Sequence, residues 1–140
     1  MNKPRQILYC DDDRDDVEIM KDIFEGMQGA PELIIAGNGA IALDYLREKS
    51  EVGGLPCFLL IDINMPVIDG KTMALQVRED HNLKHLPMAF ISTSTNQQDK
   101  DFALNLGMHF FSKPSSIDKL VKLAEQIVHY ATTINISRPG

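Results

Sequence analysis

The sequence predicts a single α/β domain built on a doubly wound parallel sheet of five strands, with helices on both faces. Two features of the 140-residue chain predict this fold: short apolar runs alternate with segments of helical periodicity, and the apolar runs are continuous rather than interrupted by polar residues. Continuous apolar strands are buried on both sides, which is typical of parallel sheets covered by helices. A chain of this length buries a core without disulfides or a structural metal.

The predicted strands are five apolar runs of about five residues, which is a usual strand length. They are QILYC (6–10), ELIIAG (32–37), CFLLI (57–61), MAFIS (88–92) and HFFSK (109–113). The third run is the most apolar, so we expect it to lie at the centre of the sheet.

Helical spacing of apolar residues predicts five helices, at about residues 17–27, 39–46, 70–80, 95–106 and 117–131. Gly26 and Gly29 close the first helix, and Gly107 follows the fourth. The fifth has the clearest amphipathic pattern in the chain. We therefore expect one domain over residues 1–131 and a polar tail over residues 132–140.

The composition argues against several classes of function. A net charge of −6 disfavours a nucleic-acid surface, which needs clustered Lys and Arg. No apolar run approaches the roughly 20 residues that span a bilayer, and MNKPRQILYC lacks the pattern of a signal peptide, so we expect a cytoplasmic protein without membrane contact. Cys10 and Cys57 lie in apolar runs outside any CxxC pair, which favours buried free thiols over a disulfide.

Polar residues capable of chemistry lie at the ends of four predicted strands. Asp11 and Asp12 follow the first strand, Asp62 follows the third, Ser92 closes the fourth and Lys113 ends the fifth. The carboxyl ends of parallel strands lie at one edge of the sheet, where such sheets bind ligands. We therefore expect three carboxylates, a hydroxyl and an ammonium group to gather at this edge.

This set of groups suits the transfer of a phosphoryl group to a carboxylate. Three neighbouring carboxylates repel one another unless a cation joins them, and oxygen ligands suit a hard cation such as Mg²⁺. Lys113 and Ser92 can bind the oxygens of a phosphate-like anion from the other side. Asp62 is the acceptor that we expect, because it ends the central strand between the metal side and the lysine side.

Four motifs together resemble a response-regulator receiver domain, the phosphoacceptor module of two-component signalling. ILYCDDD, DINMPVIDG, FIST and FFSKP occur in the order and spacing of that family, from about Gln6 to Tyr130. The resemblance implies a flavodoxin-like strand order 2-1-3-4-5. It also implies that a histidine kinase or histidine phosphotransfer protein phosphorylates Asp62, and that the chain signals rather than acting as an enzyme.

The resemblance further implies a metal shell around Asp62. In that family pattern Asp12 is the direct Mg²⁺ ligand and Asp11 binds the ion through a water molecule. Asp62 and the backbone carbonyl of Asn64 complete the protein's share of the shell.

On the phosphate side, the resemblance assigns Ser92 as the switch hydroxyl, Lys113 as the phosphate-pairing lysine and Phe110 as the rotating aromatic residue. Pro114 follows the lysine, where the family commonly has a cis peptide bond.

Three residues depart from the family's usual pattern. Phe110 stands where many relatives have tyrosine, so an outward hydroxyl contact is lost. Thr93 is bulkier than the alanine or glycine often found there, and together with Ser94 we expect it to modulate access to the acyl phosphate. Ser115 stands where an apolar residue is frequent.

The acidic stretch DDDRDD (11–16) has a simpler interpretation for some of its members. Asp13, Asp15 and Asp16 suit a solvated helix N-terminus, with Asp13 as the N-cap. A calcium loop is disfavoured because Asp16 occupies the sixth position, which requires glycine.

Other polar residues have structural interpretations as well. His81 and His85 are four residues apart and could share a metal, but the loop that leads to Pro87 favours a solvated pair. Asp69 suits the start of the third helix, and Ser115 and Ser116 suit the cap of the last helix.

The function that we predict is that of a single-domain response regulator. An unphosphorylated scaffold of the same fold is one alternative. An aspartyl-phosphate phosphatase is another, disfavoured because Asn64 stands where its acid-base residue is required. The signal would leave by contact with a downstream protein or by onward transfer of the phosphoryl group, and the sequence leaves both open. The face formed by the fourth helix, fifth strand and fifth helix would contact that partner or a second copy in a dimer.

Overall fold

The computed structural model describes residues 5–137, with side chains described as far as Thr133. Strands and helices alternate along this part of the chain: β1 (Gln6–Cys10), α1 (Arg14–Glu25), β2 (Glu32–Ala36), α2 (Gly39–Glu51), β3 (Phe58–Asp62), α3 (Gly70–Glu79), β4 (Met88–Ser92), α4 (Gln97–Asn105), β5 (His109–Ser112) and α5 (Ile117–Ser137).

The five strands form one parallel sheet in the order β2-β1-β3-β4-β5, which confirms the predicted fold and strand order. From β1 the chain moves outward to β2 and then returns past β1 to β3. The topological switch point therefore lies between β1 and β3, where sheets of this kind bind ligands beyond the carboxyl ends of their strands.

Helices cover both faces of the sheet, with α2, α3 and α4 on one face and α1 and α5 on the other. Within β3, Leu59 and Ile61 pack in the first layer, whereas Phe58 and Leu60 pack in the second. Successive residues of a strand point to opposite faces, so a strand covered on both sides is apolar at every position. This explains why the central run reads as continuous.

Capping residues define several helix ends, at Asp13, Asp69 and Ser116 as predicted. Asp13, Asn38 and Asp69 accept hydrogen bonds from backbone N–H groups in the first turns of α1, α2 and α3. The Ser116 hydroxyl accepts one in the first turn of α5. Gly107, after α4, has a φ of 68°, a conformation that glycine adopts without strain.

The fourth helix begins later than predicted. Asn96 is its N-cap, because its side chain accepts a hydrogen bond from the Asp99 N–H at 2.9 Å. The helix consequently starts at Gln97 rather than at Thr95.

The fifth helix extends to Ser137, past the predicted domain end at residue 131. Polar residues do not stop it, because no glycine or proline occurs before Pro139. The Thr132 hydroxyl donates to the Val128 carbonyl at 2.8 Å and so satisfies its polar atom within the helix. Residues 138–140 of the predicted tail lie outside the described residues.

The peptide bond between Lys113 and Pro114 is trans, as are all the peptide bonds described, so the expected cis bond is wrong. Trans is the intrinsically favoured isomer even before proline. The Lys113 N–H also donates to the Ser92 carbonyl at 2.8 Å, which continues the β4–β5 pairing up to this bond.

The cysteines and the histidine pair form no part of the predicted site. Both cysteines are free thiols, as predicted, but only Cys10 is buried, whereas Cys57 is half-buried. His81 and His85 lie in the turn after α3, outside the one group of three metal-ligating side chains found in the described residues.

Across residues 5–137, every helix is too short or too polar to cross a membrane.

Candidate functional site

The sheet brings the predicted site residues together at the carboxyl ends of its strands. Asp11 and Asp12 follow β1, Asp62 is the last residue of β3, Ser92 is the last of β4, and Lys113 follows β5. Backbone hydrogen bonds beyond the ladders hold these ends in register, including that from the Ile63 N–H to the Ile91 carbonyl at 3.4 Å.

Three of these side chains form an acidic group. Carboxylate oxygens of Asp11, Asp12 and Asp62 all lie within 4.8 Å of one another. Asp11 and Asp62 are buried, whereas Asp12 is exposed. The ligand atoms are all oxygens, and the exposed side leaves room for water, which is the environment that a hard divalent cation prefers. The residues present therefore fit such an ion.

Asp62 is a perturbed carboxyl group. Its side chain is 12% exposed and accepts a hydrogen bond from the Asn64 N–H at 3.1 Å. Burial, followed by the negative charge of Asp11, raises the pKa of Asp62 to about 7, against the opposing effect of Lys113. A carboxyl group with such a pKa at a ligand edge is typical of functional sites.

Lys113 is the cation of the site and lies among three carboxylates. Its Nζ is 2.8 Å from Asp16 Oδ2, 3.0 Å from Asp11 Oδ2 and 3.8 Å from Asp62 Oδ2. Burial alone lowers the pKa of Lys113, but the hydrogen bonds to Asp16 and Asp11 outweigh burial and hold the pKa above its ordinary value. The ammonium is therefore charged throughout the physiological range.

Asp11 is fixed on both of its carboxylate oxygens. Oδ1 accepts from the Asp13 N–H at 2.9 Å, and Oδ2 accepts from both Lys113 and the Tyr9 hydroxyl. Tyr9 is fully buried, and its pKa is raised by that burial and by the charge of Asp11, so the phenol keeps its proton as a donor.

Sequence reasoning missed two members of this network. Tyr9 was interpreted only as part of an apolar strand, although it lies two residues before Asp11 and hence on the same face of the chain. Asp16 was interpreted as a solvated residue at a helix start, and its pairing with Lys113 shows that this was incomplete.

Ser92 and its neighbours form the rim of the site. Ser92 is buried, and its hydroxyl accepts a hydrogen bond from the Ser94 N–H at 3.1 Å. Thr93 and Ser94 are exposed. Phe110 is half-buried on β5, where it packs beside its β4 register partner Phe90 in the layer of α2, α3 and α4. These positions are compatible with the predicted roles, which remain predictions.

Comparison with known proteins finds relatives along most of the chain. Residues 7–125 match the family model of the response regulator receiver domain. The response regulator Rcp1 of Synechocystis is 26% identical over 129 residues, which cover 90% of this chain and 88% of Rcp1.

Solved structures give the same result. The phosphorylated cyanobacterial phytochrome response regulator RcpA superposes with a TM-score of 0.83, covering 94% of this chain and 96% of RcpA, and its 22% identity supports the fold alone. The Mn²⁺-bound form of Rcp1 has a TM-score of 0.77 and 25% identity, covering 89% of this chain and 91% of Rcp1.

Proposed function

The chain belongs to the response regulator receiver domain family, and from this premise we propose that Asp62 accepts a phosphoryl group from the phosphohistidine of a histidine kinase or histidine phosphotransfer protein. One observation carries the proposal. Asp62 is a buried carboxyl group at the end of the central strand, with an acidic pair on one side and the Lys113 ammonium on the other.

Mg²⁺ is the cation that we propose for the acidic group. Asp11, Asp12, Asp62 and the backbone carbonyl of Asn64 would hold it. When bound, it neutralises negative charge on the carboxylates and on the incoming phosphoryl group. The oxygen-only donor set and the exposure of Asp12 support this choice over a metal that prefers nitrogen or sulfur ligands.

The residues of the chain supply positioning and charge rather than covalent chemistry of their own. An ionised Asp62 oxygen forms the new P–O bond as the P–N bond of phosphohistidine breaks, and the electron pair of that bond remains on the imidazole nitrogen. Lys113 and the Ser92 hydroxyl then bind the phosphoryl oxygens, which contributes the electrostatic stabilisation that such transfers require.

The output that we propose is a change of protein contacts, not an enzymatic reaction. Closure of Ser92 on the phosphoryl group draws β4 inward and favours inward packing of Phe110. The face of α4, β5 and α5 then binds a downstream protein, or a second copy, with altered affinity. Onward transfer of the phosphoryl group is the alternative route for the signal. We propose the cytoplasm as the location of these steps.

Intact-mass spectrometry after incubation with acetyl phosphate and Mg²⁺ tests this function. The wild type is expected to gain the mass of one phosphoryl group, and Asp62→Asn and metal-free samples are expected to gain none. Asp44→Asn is a matched control, since it removes one charge from an exposed position on α2. Absence of an adduct, together with no binding of beryllofluoride, would favour the unphosphorylated scaffold instead.

A further inference from the structure

Lys113 contacts the carboxylate of Asp16 more closely than it contacts the proposed acceptor. Its Nζ lies 2.8 Å from Asp16 and 3.0 Å from Asp11, but 3.8 Å from Asp62. The first two distances are those of hydrogen bonds, and the third is longer than a hydrogen bond. In this state the ammonium is held by acids of the β1–α1 region rather than by Asp62.

The way that α1 begins brings Asp16 to this position. Asp13 caps the helix and accepts hydrogen bonds from the N–H groups of Asp15 and Asp16 at 3.0 and 3.2 Å. In the first turn thus fixed, the Asp15 side chain faces solvent, whereas Asp16 is partly buried and reaches Lys113. The contact joins residues that are 97 positions apart in sequence.

We propose, building on the proposed function, that Asp16 is a positioning residue that competes with a phosphoryl group on Asp62 for Lys113. A lysine ammonium acts as a compact point charge, and an acid in contact with it weakens the attraction that it offers to an anion on its other side. The negative charge of Asp16 also opposes a further anion nearby. Asp16 thus stabilises the resting arrangement, and its removal favours the arrangement in which Lys113 binds phosphoryl oxygens.

Two asparagine variants separate this effect from a general loss of charge. Asp16→Asn removes the carboxylate that holds Lys113 and keeps its size. Asp15→Asn removes the same charge from the same turn of α1, but from a side chain that faces solvent. Thermal unfolding of both variants checks that each is folded.

The first measurement is a titration with beryllofluoride in the presence of Mg²⁺, in which isothermal calorimetry gives the binding affinity. Asp16→Asn is expected to bind this phosphoryl mimic about threefold to fivefold more tightly than the wild type, the upper part of the range that one partly exposed ion pair can contribute. Asp15→Asn is expected to stay within about twofold of the wild type, because an exposed charge is largely screened.

Nitrogen-15 NMR of the Lys113 ammonium group, without beryllofluoride, is the second measurement. Its signal is expected to move in Asp16→Asn and to stay in place in Asp15→Asn, because only the former loses a hydrogen-bond partner of Nζ.

The outcomes distinguish the two proposals. Equal affinities of the two variants, weaker binding by Asp16→Asn, or an unmoved Lys113 signal would overturn the competition and leave the proposed function standing. A wild type that binds no beryllofluoride and gains no phosphoryl group would overturn the proposed function, and the competition with it.

Discussion

Replacement of Val67 by glycine is expected to stabilise the protein, although it removes a side chain. Val67 lies in the loop between Asp62 and α3 and has a φ of 70°. The Ile68 N–H donates to the Pro66 carbonyl at 2.8 Å, so Val67 is the central residue of a three-residue turn in the strained form with positive φ. A β-branched residue is a rare occupant of this region.

The magnitude follows from three effects. Positive φ costs an L-residue about 1–2 kcal/mol relative to glycine. Introducing glycine in turn lowers the free energy of unfolding by about 0.5–1 kcal/mol, because it increases the conformational entropy of the unfolded chain. Contacts matter little here, because Val67 is 78% exposed. The expected net stabilisation is therefore about 0.5–1 kcal/mol, which corresponds to a rise in Tm of about 2–4 °C for a chain of this size.

Val52→Gly is the matched control for this experiment. Val52 is also an exposed valine at 67%, but its φ of −114° is ordinary for a side chain. Only the entropic effect of glycine applies there, so the free energy of unfolding of this variant is expected to fall by about 0.5–1 kcal/mol. The stabilities of both variants would be measured by urea and thermal unfolding, with circular dichroism as the signal. A loss of stability in Val67→Gly equal to that in Val52→Gly would refute the argument from backbone strain.

Three further predictions concern the site and its supports. Because the pKa of Asp62 is raised to about 7, its protonated form contributes stability that is complete below the unfolded pKa of about 3.9 and is lost as pH rises through 7. Urea unfolding of the metal-free protein is therefore expected to show about 1–4 kcal/mol less stability at pH 8 than at pH 4 from this group, and Asp62→Asn should lack that contribution. Gly70→Ala would place a Cβ 2.6 Å from the Asp62 carbonyl oxygen. This substitution should lower the free energy of unfolding by about 2 kcal/mol or more in the same assay, and it should weaken beryllofluoride binding. Gly54→Ala is the control and should be tolerated, because the nearest contact of its Cβ would be 3.4 Å. Arg78→Lys should lower the free energy of unfolding by about 1–3 kcal/mol, because the guanidinium donates to three backbone carbonyls that one ammonium cannot reach together. An unchanged midpoint of urea unfolding would contradict this prediction.

The fold was predictable from sequence because burial leaves a local trace in each strand. Where both faces of a strand are covered, as for Leu60 and Ile61, no position can be polar until the strand reaches the edge of the sheet. The first polar residues after such runs therefore mark the edge. The same logic grouped Asp11, Asp62 and Lys113, which the structure does bring together.

The two features that sequence reasoning missed leave a weaker local trace than the strands do. Asp16 already has a sufficient local explanation, since an acid in the first turn of a helix is favourable by itself. Tyr9 likewise suits an apolar strand. The hydrogen bond from Tyr9 to Asp11 spans only two residues and is indicated by that spacing alone. The role of Asp16 depends on the packing of α1 beside the segment after β5, and this contact between distant parts of the chain is set by tertiary structure alone.

The strain at Val67 follows from the way the start of α3 packs against the end of β3. Gly70 N–H donates to the Ile63 carbonyl at 2.9 Å, so the start of α3 lies directly on the backbone that carries Asp62. This leaves a short loop that must reverse within a few residues.

Burial of Asp62 and the negative charge of Asp11 also make the acceptor a weaker nucleophile in the absence of a cation. With a pKa of about 7, a large share of Asp62 is protonated at neutral pH, and a protonated carboxyl group cannot attack phosphorus. A cation held by Asp11 and Asp12 would lower that pKa. Under the proposed function, the requirement for Mg²⁺ therefore has two sources: neutralisation of the phosphoryl group and ionisation of Asp62. Lys113 also lowers the pKa of Asp62, but burial and the charge of Asp11 outweigh its effect, since its ammonium lies closer to Asp11 and Asp16 than to Asp62.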